Sequence, residues 1–332
     1  MKIYQTDLQK EEAKQPTELD FYQAADRRHL LRGDEETYKL RRLIAGETGE
    51  KIVIDYLNQY GKPHWIGIPN LWMNYFGPFE CDFLLITRYK VYVFEIKNYR
   101  GEFVYKEGFV KINDIQKNFN PIHQTRRNYR NVQEILSEIN PNIQVEGATI
   151  FTGMNNAVFI ESEVSDIKII PRSYLKWYID QIIKEEKENR QQITNPDALL
   201  EKLTSYQIEN SFLPEAISKE KMATAKKGIC CAKCHSYDIK VNRFNIECRC
   251  GYKEDREIAT LRAIYDYAVL NYDKPLTRSS LLEFLDGQAS KTYLVNKLNK
   301  YFPAIHNSTK RSYVVENFSE FKEKINRLSS LN

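Results

Sequence analysis

The chain is organised around Val91-Tyr92-Val93-Phe94-Glu95-Ile96-Lys97-Asn98, a short run rich in valine, isoleucine and aromatic residues. These residue types favour a β-strand. Because alternate side chains of a strand share a face, Glu95 and Lys97 are predicted to point one way and Phe94 and Ile96 the other. Burying a carboxylate and an ammonium costs on the order of several kcal/mol unless they neutralise each other or bind a metal. The pair is therefore either a salt bridge at a sheet edge or part of a site.

A second strand-like run, residues 79–87, lies just upstream and carries Asp82. Residues 88–90 are short enough to close a hairpin, so Asp82 is predicted to lie alongside Glu95. Two carboxylates and a backbone carbonyl suit Mg²⁺ or Mn²⁺. Such an ion activates water and neutralises phosphate, while Lys97 would orient that water or stabilise charge in the transition state. This combination is typical of metal-dependent phosphodiesterases.

Length and composition indicate a soluble protein of several domains. The 332 residues predict about two to three domains. Hydrophobic residues make up 42% and charged residues 28%, which is ordinary for a globular protein. We find no signal peptide and no apolar stretch near the roughly 18 residues of a membrane helix, so a cytoplasmic protein with reduced thiols is expected. The net charge of +4 comes from the C-terminal piece, where Lys and Arg outnumber Asp and Glu by 11 to 7 after residue 257.

The N-terminal third contains one more acidic candidate. Residues 1–42 are predicted to be a charged helical extension, with a helix across residues 20–43. An amphipathic helix follows, which places Glu50 on the same stripe as Val53 and Leu57, facing the core. A core-facing acid needs a partner, although Glu50 also lies near the helix start, where the dipole favours an anion.

Downstream of the central run, residues 101–105 and 108–112 alternate and are predicted to extend the antiparallel meander. A helix is predicted to begin at Asn120-Pro121. Gln124 and Asn128 extend its apolar stripe, and are either buried partners of a polar group or ligand, or a polar pair near the helix start. The outer side of this helix carries a basic cluster that is either solvated or in contact with phosphate: Arg126, Arg127 and Arg130.

The order of these motifs resembles the nuclease-related domain family. The shared features are Gly-x-x-Gly-Glu on a helix, Asp before a strand, Glu-x-Lys-Asn followed by Gly, and Asn-Pro-x-x-Gln, over roughly residues 43–187. The resemblance implies an α/β, restriction-endonuclease-like (PD-(D/E)xK) core and cleavage of nucleic acid. It also implies metal binding by Glu50, Asp82 and Glu95, with Lys97 and Gln124 completing the site. The chain departs from the family's Pro-Asp, because Cys81 precedes Asp82.

Four cysteines predict a zinc ribbon in residues 229–256, after a connector at residues 188–228. Cys231, Cys234, Cys248 and Cys250 form two short pairs whose spacing suits a closed tetrahedral thiolate site for structural Zn²⁺. His235 could replace one thiolate, and Cys230 could compete with Cys231. The basic residues of such ribbons either contact nucleic acid or are ordinary surface.

Residues 257–332 predict three helices and a hairpin, in an order that resembles a winged helix. Its third helix would be the reading helix. The candidate nucleic-acid contacts are Lys291, Lys297, Lys300, Lys310 and Arg311. A winged helix that binds protein remains the alternative.

The sequence therefore predicts a metal-dependent nuclease, acting on DNA rather than RNA, that is targeted by a zinc ribbon and a winged helix. Two alternatives stay open: a protein that grips nucleic acid without cutting it, and a regulatory adaptor. No membrane association is expected, and a homo-oligomer stays open.

Overall fold

The computed structural model describes residues 1–106, 108–154, 157–189, 193, 195–210, 215–307 and 310–330, with the backbone alone for residues 306, 307 and 310. Within these ranges the helices are α1 (Asp7–Glu12), α2 (Glu18–Arg27), α3 (Asp34–Tyr60), α4 (Pro121–Ser137), α5 (Leu175–Glu188), α6 (Pro196–Ser205), α7 (Lys219–Ala223), α8 (Arg256–Leu270), α9 (Arg278–Phe284), α10 (Lys291–Tyr301) and α11 (Phe318–Ser330).

The strands follow the same order along the chain. They are β1 (Lys2–Ile3), β2 (Ile66–Asn74), β3 (Pro78–Ile86), β4 (Lys90–Lys97), β5 (Glu102–Lys106), β6 (Phe109–Ile112), β7 (Ile115–Lys117), β8 (Gln144–Phe151), β9 (Ala157–Ile160), β10 (Lys168–Pro171), β11 (Ile239–Val241), β12 (Asn245–Cys248), β13 (Lys253–Asp255), β14 (Leu276–Thr277), β15 (Ala304–Asn307) and β16 (Lys310–Tyr313). No helix in the described ranges is long and apolar enough to cross a membrane.

The chain divides into two compact units, each built from two segments of sequence. The first comprises residues 1–7 and 42–210, and the second comprises residues 8–41 and 211–332. Both mix helices with sheets, so the α/β class expected from the sequence is confirmed at that level. The division into five successive domains stays a prediction.

The first unit is organised by a six-stranded sheet in the order β1-β2-β3-β4-β8-β10. β2, β3 and β4 are antiparallel, whereas β4, β8 and β10 run parallel, because the helix α4 provides the long crossover that a parallel connection needs. Val91 and Val93 of β4 face the α4 side of the sheet, and Phe94 and Ile96 face the side that packs on α3 and α5. Glu95 and Lys97 therefore belong to the α4 face.

The prediction that residues 101–112 extend the same meander is wrong. β5 and β6 lie in a separate four-stranded sheet, ordered β7-β6-β5-β9. The chain turns away from β4 at Gly101, which has a φ of +91°, and a Cβ there would lie 1.9 Å from Asn113 Oδ1. That Oδ1 atom accepts a hydrogen bond from the Glu102 N–H at 2.8 Å. The Glu102 amide therefore bonds a side chain and not the backbone of the six-stranded sheet.

The predicted single helix across residues 20–43 is two helices. α2 ends at Arg27, and the chain then adopts positive φ at His29 and Gly33 before α3 begins. α3 continues without interruption to Tyr60 and includes the predicted amphipathic segment with Glu50. Charge patterning alone does not reveal this break, because both helices carry similar charged faces.

The second unit is organised around α8, which is buried along most of its length. Helix α2, helix α11 and the elements of residues 276–313 share one apolar core with it. Helices α8, α9 and α10 and the hairpin β15-β16 follow one another as the sequence predicted, and β14 joins the hairpin in a three-stranded sheet ordered β14-β16-β15. The assignment of these elements to a winged helix stays a prediction. Helix α11 was not predicted. A second three-stranded sheet, β11-β12-β13, has Cys248 at the end of β12, and the other predicted zinc ligands lie outside its strands.

Candidate active site and metal centres

Asp82 lies where β3 and β4 stop pairing. The two strands pair from Ile86 and Val91 to Phe83 and Phe94. One residue further, the Asp82 Oδ2 atom accepts a hydrogen bond from the Ile96 N–H at 2.7 Å. A side-chain carboxylate thus takes the place of a strand carbonyl. The same register, continued by one step, sets Asp82 opposite Glu95, where the sequence analysis expected it.

Lys97 supplies a buried positive charge beside these acids. Its Nζ forms an ion pair with Glu95 Oε1 and lies 3.9 Å from Asp82 Oδ2. Burial by itself would lower the pKa of Lys97, but the charges of Asp82 and Glu95 outweigh it and raise that pKa, so the ammonium stays protonated. Glu95 is only 1% exposed. Burial, followed by the charge of Asp82, raises the pKa of Glu95 to about 8 in spite of Lys97.

Two further glutamates surround this pair. Glu50 comes from α3, and burial together with the charge of Asp82 raises its pKa to about 7. Glu80, two residues before Asp82 on β3, has its pKa raised to about 8 by burial and by the charges of Asp82 and Glu50. The sequence analysis missed Glu80. Its signal was the Glu-x-Asp spacing, which keeps both acids on one short strand.

Asn70 of β2 is a second residue that the sequence analysis missed. Its side chain hydrogen-bonds the Glu50 carboxylate and thereby lowers the pKa of Glu50, against the larger effect of burial. Asn70 follows Pro69 inside β2, and both residue types disfavour a regular strand, but the sequence does not show which carboxylate the Asn70 side chain reaches.

On α4 the residue that contacts the acids is Asn128 rather than Gln124. Asn128 is buried, and its Nδ2 donates to the Glu80 backbone oxygen at 2.6 Å and to Glu95 Oε2 at 3.5 Å. Gln124 lies one turn earlier and half-buried, and its side chain makes no hydrogen bond to any residue that the structure describes. The sequence analysis expected that the polar residues on the apolar stripe of this helix meet a buried polar group, and Asn128 does so.

The three arginines of α4 differ in their surroundings. Arg126 binds Asp166 through two nitrogens, at 2.6 and 2.8 Å, and Arg130 lies 3.3 Å from the same carboxylate. Arg127 is exposed, and its Nε and Nη2 donate to Asn128 Oδ1 at 3.3 Å. Arg127 is thus the member of the basic cluster that adjoins the acidic site.

The acidic site suits a hard divalent cation by the chemistry of its donors. Four carboxylates share one ammonium, and three of them have raised pKa values. A cation of charge two would offset that excess of negative charge, and carboxylate oxygens are the ligands that Mg²⁺ and Mn²⁺ prefer. Glu50, Asp82 and Glu95 could hold it, with Glu80 beside them. In the described ranges, only the four cysteines bring three or more metal-binding atoms within 4.8 Å of one another. The acidic site therefore fits a cation by the type and charge of its donors and not by their spacing.

Those cysteines form a compact cluster beside the sheet β11-β12-β13, with Cys248 at the end of β12 and Cys250 in the turn that follows. The Sγ atoms of Cys231 and Cys250 are 3.8 Å apart, and those of Cys234 and Cys248 are 3.5 Å apart. Cys230 is outside the cluster, because its Sγ lies 3.6 Å from Arg262 Nη1. His235 is also outside it, with Nδ1 3.8 Å from Asp26. Four thiol groups at these distances can bind one metal ion, and the backbone amide of Tyr252 favours this by lowering the pKa of Cys250.

The basic residues of the second unit that were predicted to contact nucleic acid differ in whether they form ion pairs. Lys297 and Lys300 of α10 both pair with Glu257 of α8, the latter at 2.8 Å. Burial opposes the ionisation of Glu257, yet the hydrogen bonds from these lysines and Tyr301 lower its pKa to about 2. Lys291 is exposed and has no ion pair within the described ranges. Arg311 lies over the Tyr313 ring, and the Lys310 side chain falls outside the described part.

The family model of the nuclease-related domain matches residues 45–152, about a third of the chain. This range holds every acid of the site together with Lys97, Gln124 and Asn128, and it confirms the resemblance seen in the sequence. No curated protein and no solved structure matched the chain.

Proposed function

We propose, from the nuclease-related domain at residues 45–152, that this protein hydrolyses phosphodiester bonds of nucleic acid with the help of a divalent cation. The observation that carries the proposal is the protonated Lys97 ammonium beside Glu95 and Asp82, at the point where β3 and β4 part. A restriction-endonuclease-like core belongs to the same proposal. It is supported by the antiparallel β2-β3-β4 followed by parallel β8, with α4 as the crossover.

Mg²⁺ or Mn²⁺, held by Glu50, Asp82 and Glu95, would supply a polarised water and neutralise charge on the phosphate. Lys97 contributes as a cation. Its ammonium would donate hydrogen bonds to the attacking water or to the phosphate oxygens. Asn128 fixes Glu95 by donating to its Oε2 atom, and so limits the directions in which that carboxylate can present its oxygens.

We assign nucleic-acid binding to residues outside the acidic cluster. Arg127 is exposed next to Asn128 and is suited to a phosphate near the cleaved bond. Lys291 and Arg311 are exposed in the part of the second unit whose element order resembles a winged helix. DNA is the substrate we favour, since winged helices place their third helix in the major groove of a duplex.

The cysteine cluster is proposed to hold one structural Zn²⁺. Four cysteine donors leave no open position for a substrate, which distinguishes this site from a catalytic one. The strands of this sheet have only three or four residues, so a bound metal would add to the stability that Ile246 provides by packing in the core around α8.

The proposal is tested by incubating the purified full chain with single-stranded, double-stranded and structured DNA and RNA, with and without Mg²⁺ or Mn²⁺. Cleavage is expected only with the cation. Lys97→Ala should abolish cleavage while folding and nucleic-acid binding persist. Lys90→Ala is the matched control, because Lys90 lies on the same strand but pairs with Glu146 and Glu185, and it should cleave normally.

Equal cleavage by the wild type and Lys97→Ala would point to a contaminating nuclease and refute the assignment. Binding without any cleavage, on every substrate and with both cations, would favour a protein that grips nucleic acid without cutting it.

A further inference from the structure

Asn70 interrupts an otherwise regular strand. It has a φ of +47°, a left-handed conformation that L-residues other than Asn and Asp rarely adopt. β2 and β3 pair continuously on both sides of it, from Ile66–Ile86 to Pro69–Phe83 and again from Leu71–Cys81 to Asn74–Pro78. The register does not change across the break. The one position skipped is Asn70 opposite Asp82.

The break changes which side of β2 is buried. Before Asn70, Ile66 and Ile68 pack on the α4 side of the sheet, and after it Leu71 and Met73 do so. The first pair has even numbers and the second odd, so the alternation shifts by one residue at Asn70. β3 shifts in the same way at Asp82. Phe79 and Cys81 before it, and Leu84 and Ile86 after it, all pack on the α4 side of the sheet. Both strands thus rephase at the position where the acids meet.

The requirements at this position are met by few residue types. The backbone favours Gly, Asn or Asp. Glycine has no side chain to reach Glu50, and aspartate would add a fifth carboxylate to four that already share one ammonium. Asparagine tolerates the conformation, is neutral, and can donate a hydrogen bond, and its side chain does bond the Glu50 carboxylate.

We propose that Asn70 is a positioning residue of the metal site, whose left-handed backbone at the skipped β2–β3 position directs its amide onto Glu50 and holds that carboxylate ready for the cation. This role rests on the proposed metal-dependent nuclease. Asn70 thus sets the backbone path of β2 and also orients Glu50, so the strand distortion serves the metal site as well as the sheet.

The test is Mn²⁺ binding by the zinc-loaded full chain, measured by electron paramagnetic resonance of free Mn²⁺, together with the thermal midpoint of each variant. Asn70→Gly keeps the backbone relaxed and removes the amide, and it should bind Mn²⁺ about 10-fold more weakly with little change in midpoint. Asn70→Ala also lacks the amide and strains the backbone, so it should match Asn70→Gly in affinity and melt lower. Asn113→Gly is the control, since Asn113 is another left-handed asparagine, with a φ of +51°, that contacts Glu102 and Arg100, and its affinity should equal that of the wild type.

Glu50→Gln separates the two levels of the argument. If Glu50→Gln weakens Mn²⁺ binding but Asn70→Gly binds like the wild type, Asn70 only shapes the strand and the positioning role is overturned. If Glu50→Gln itself binds normally, Glu50 is not a ligand, and the proposed metal site fails together with the role of Asn70.

Discussion

At the scale of single residues, the acidic site should make stability depend on pH in an unusual direction. Burial and mutual repulsion raise the pKa of Glu50 to about 7 and those of Glu80 and Glu95 to about 8, above the ordinary value of 4.5. A carboxyl whose pKa is higher in the folded state binds its proton more tightly there. Its contribution to stability is therefore complete below about pH 4.5 and is lost as pH rises through 7 to 8.

We therefore expect the free energy of unfolding to fall between pH 5 and pH 8 when no divalent cation is added to the acidic site. Glu50→Gln/Glu80→Gln should flatten that decline, because two of the titrating groups are gone. Mg²⁺ should restore stability above pH 7 in the wild type, by about 2.7 kcal/mol at 100 times its dissociation constant. Chemical denaturation across pH, with and without Mg²⁺, measures both effects. A wild type that gains stability steadily up to pH 8 without metal would contradict the prediction.

At the scale of secondary-structure elements, the sheet β11-β12-β13 should depend on its metal. We expect about one Zn²⁺ per chain, and Cys231→Ser should lose it. Cys230→Ser is the matched control, because the neighbouring thiol contacts Arg262 and lies outside the cluster, so this variant should retain zinc. Elemental analysis of protein purified without chelator decides the matter. Zinc retained in Cys231→Ser and lost in Cys230→Ser would show that Cys230, and not Cys231, binds the metal.

Helix α10 presents less positive charge than its sequence indicates, because Glu257 neutralises Lys297 and Lys300. Lys291→Ala should therefore reduce the salt dependence of DNA affinity by about one phosphate contact, and Lys297→Ala should reduce it less. Glu257→Gln frees both lysines and should steepen the dependence. Glu283→Gln removes an equal charge from α9, where Glu283 pairs with Lys227, and it tests whether net charge alone is responsible. Identical slopes in Glu257→Gln and Glu283→Gln would exclude a specific role for α10.

The elements show where sequence reasoning succeeds and where it ends. The runs at residues 79–87 and 91–98 predicted β3 and β4 within one residue, because β-branched and aromatic residues specify strands strongly. Their spacing also indicated that Asp82, Glu95 and Lys97 lie together. Asn70 was not predicted, because Pro69 and Asn70 indicate a break in a strand but do not show that β2 continues in the same register beyond it. The family resemblance implied Gln124 for the site, whereas Asn128 is the residue of α4 that contacts the acids. The apolar stripe contains both residues and does not show which turn of α4 faces the acids.

At the scale of the whole molecule, the second unit joins segments far apart in sequence through buried charges. Arg27, the last residue of α2, and Arg28, the residue after it, pair with Asp266 of α8 at 2.6 and 2.8 Å. The side chains of Arg28 and Asp266 are completely buried. Sequence patterns give no sign of this contact, because 238 residues separate Arg28 from Asp266.

Asp266→Ala should destabilise the protein by about 3–5 kcal/mol, because it leaves buried guanidinium groups without their counter-charge. Asp180→Ala removes an aspartate whose pair with Lys176 is exposed, and it should leave stability nearly unchanged. Denaturant unfolding of the two variants makes the comparison. A small effect of Asp266→Ala would mean that water or a rearranged acid satisfies the arginines.

The composition of the two units also determines how the nuclease-related domain can be isolated. A fragment of residues 1–228 keeps α2 but loses α8, so Ala24 and Ala25 would be exposed and Arg28 would lack Asp266. We expect that fragment to aggregate. A fragment of residues 42–210 lacks only residues 1–7 of its unit, which contain the two-residue edge strand β1, and it should fold and keep metal-dependent cleavage. It should also show a flatter salt dependence of DNA affinity than the full chain, because Lys291 and Arg311 are gone. Light scattering, thermal unfolding and binding across a salt series test these statements. An unchanged slope would place the nucleic-acid contacts within the first unit, with Arg127 as the leading candidate, and would leave the second unit free to bind protein.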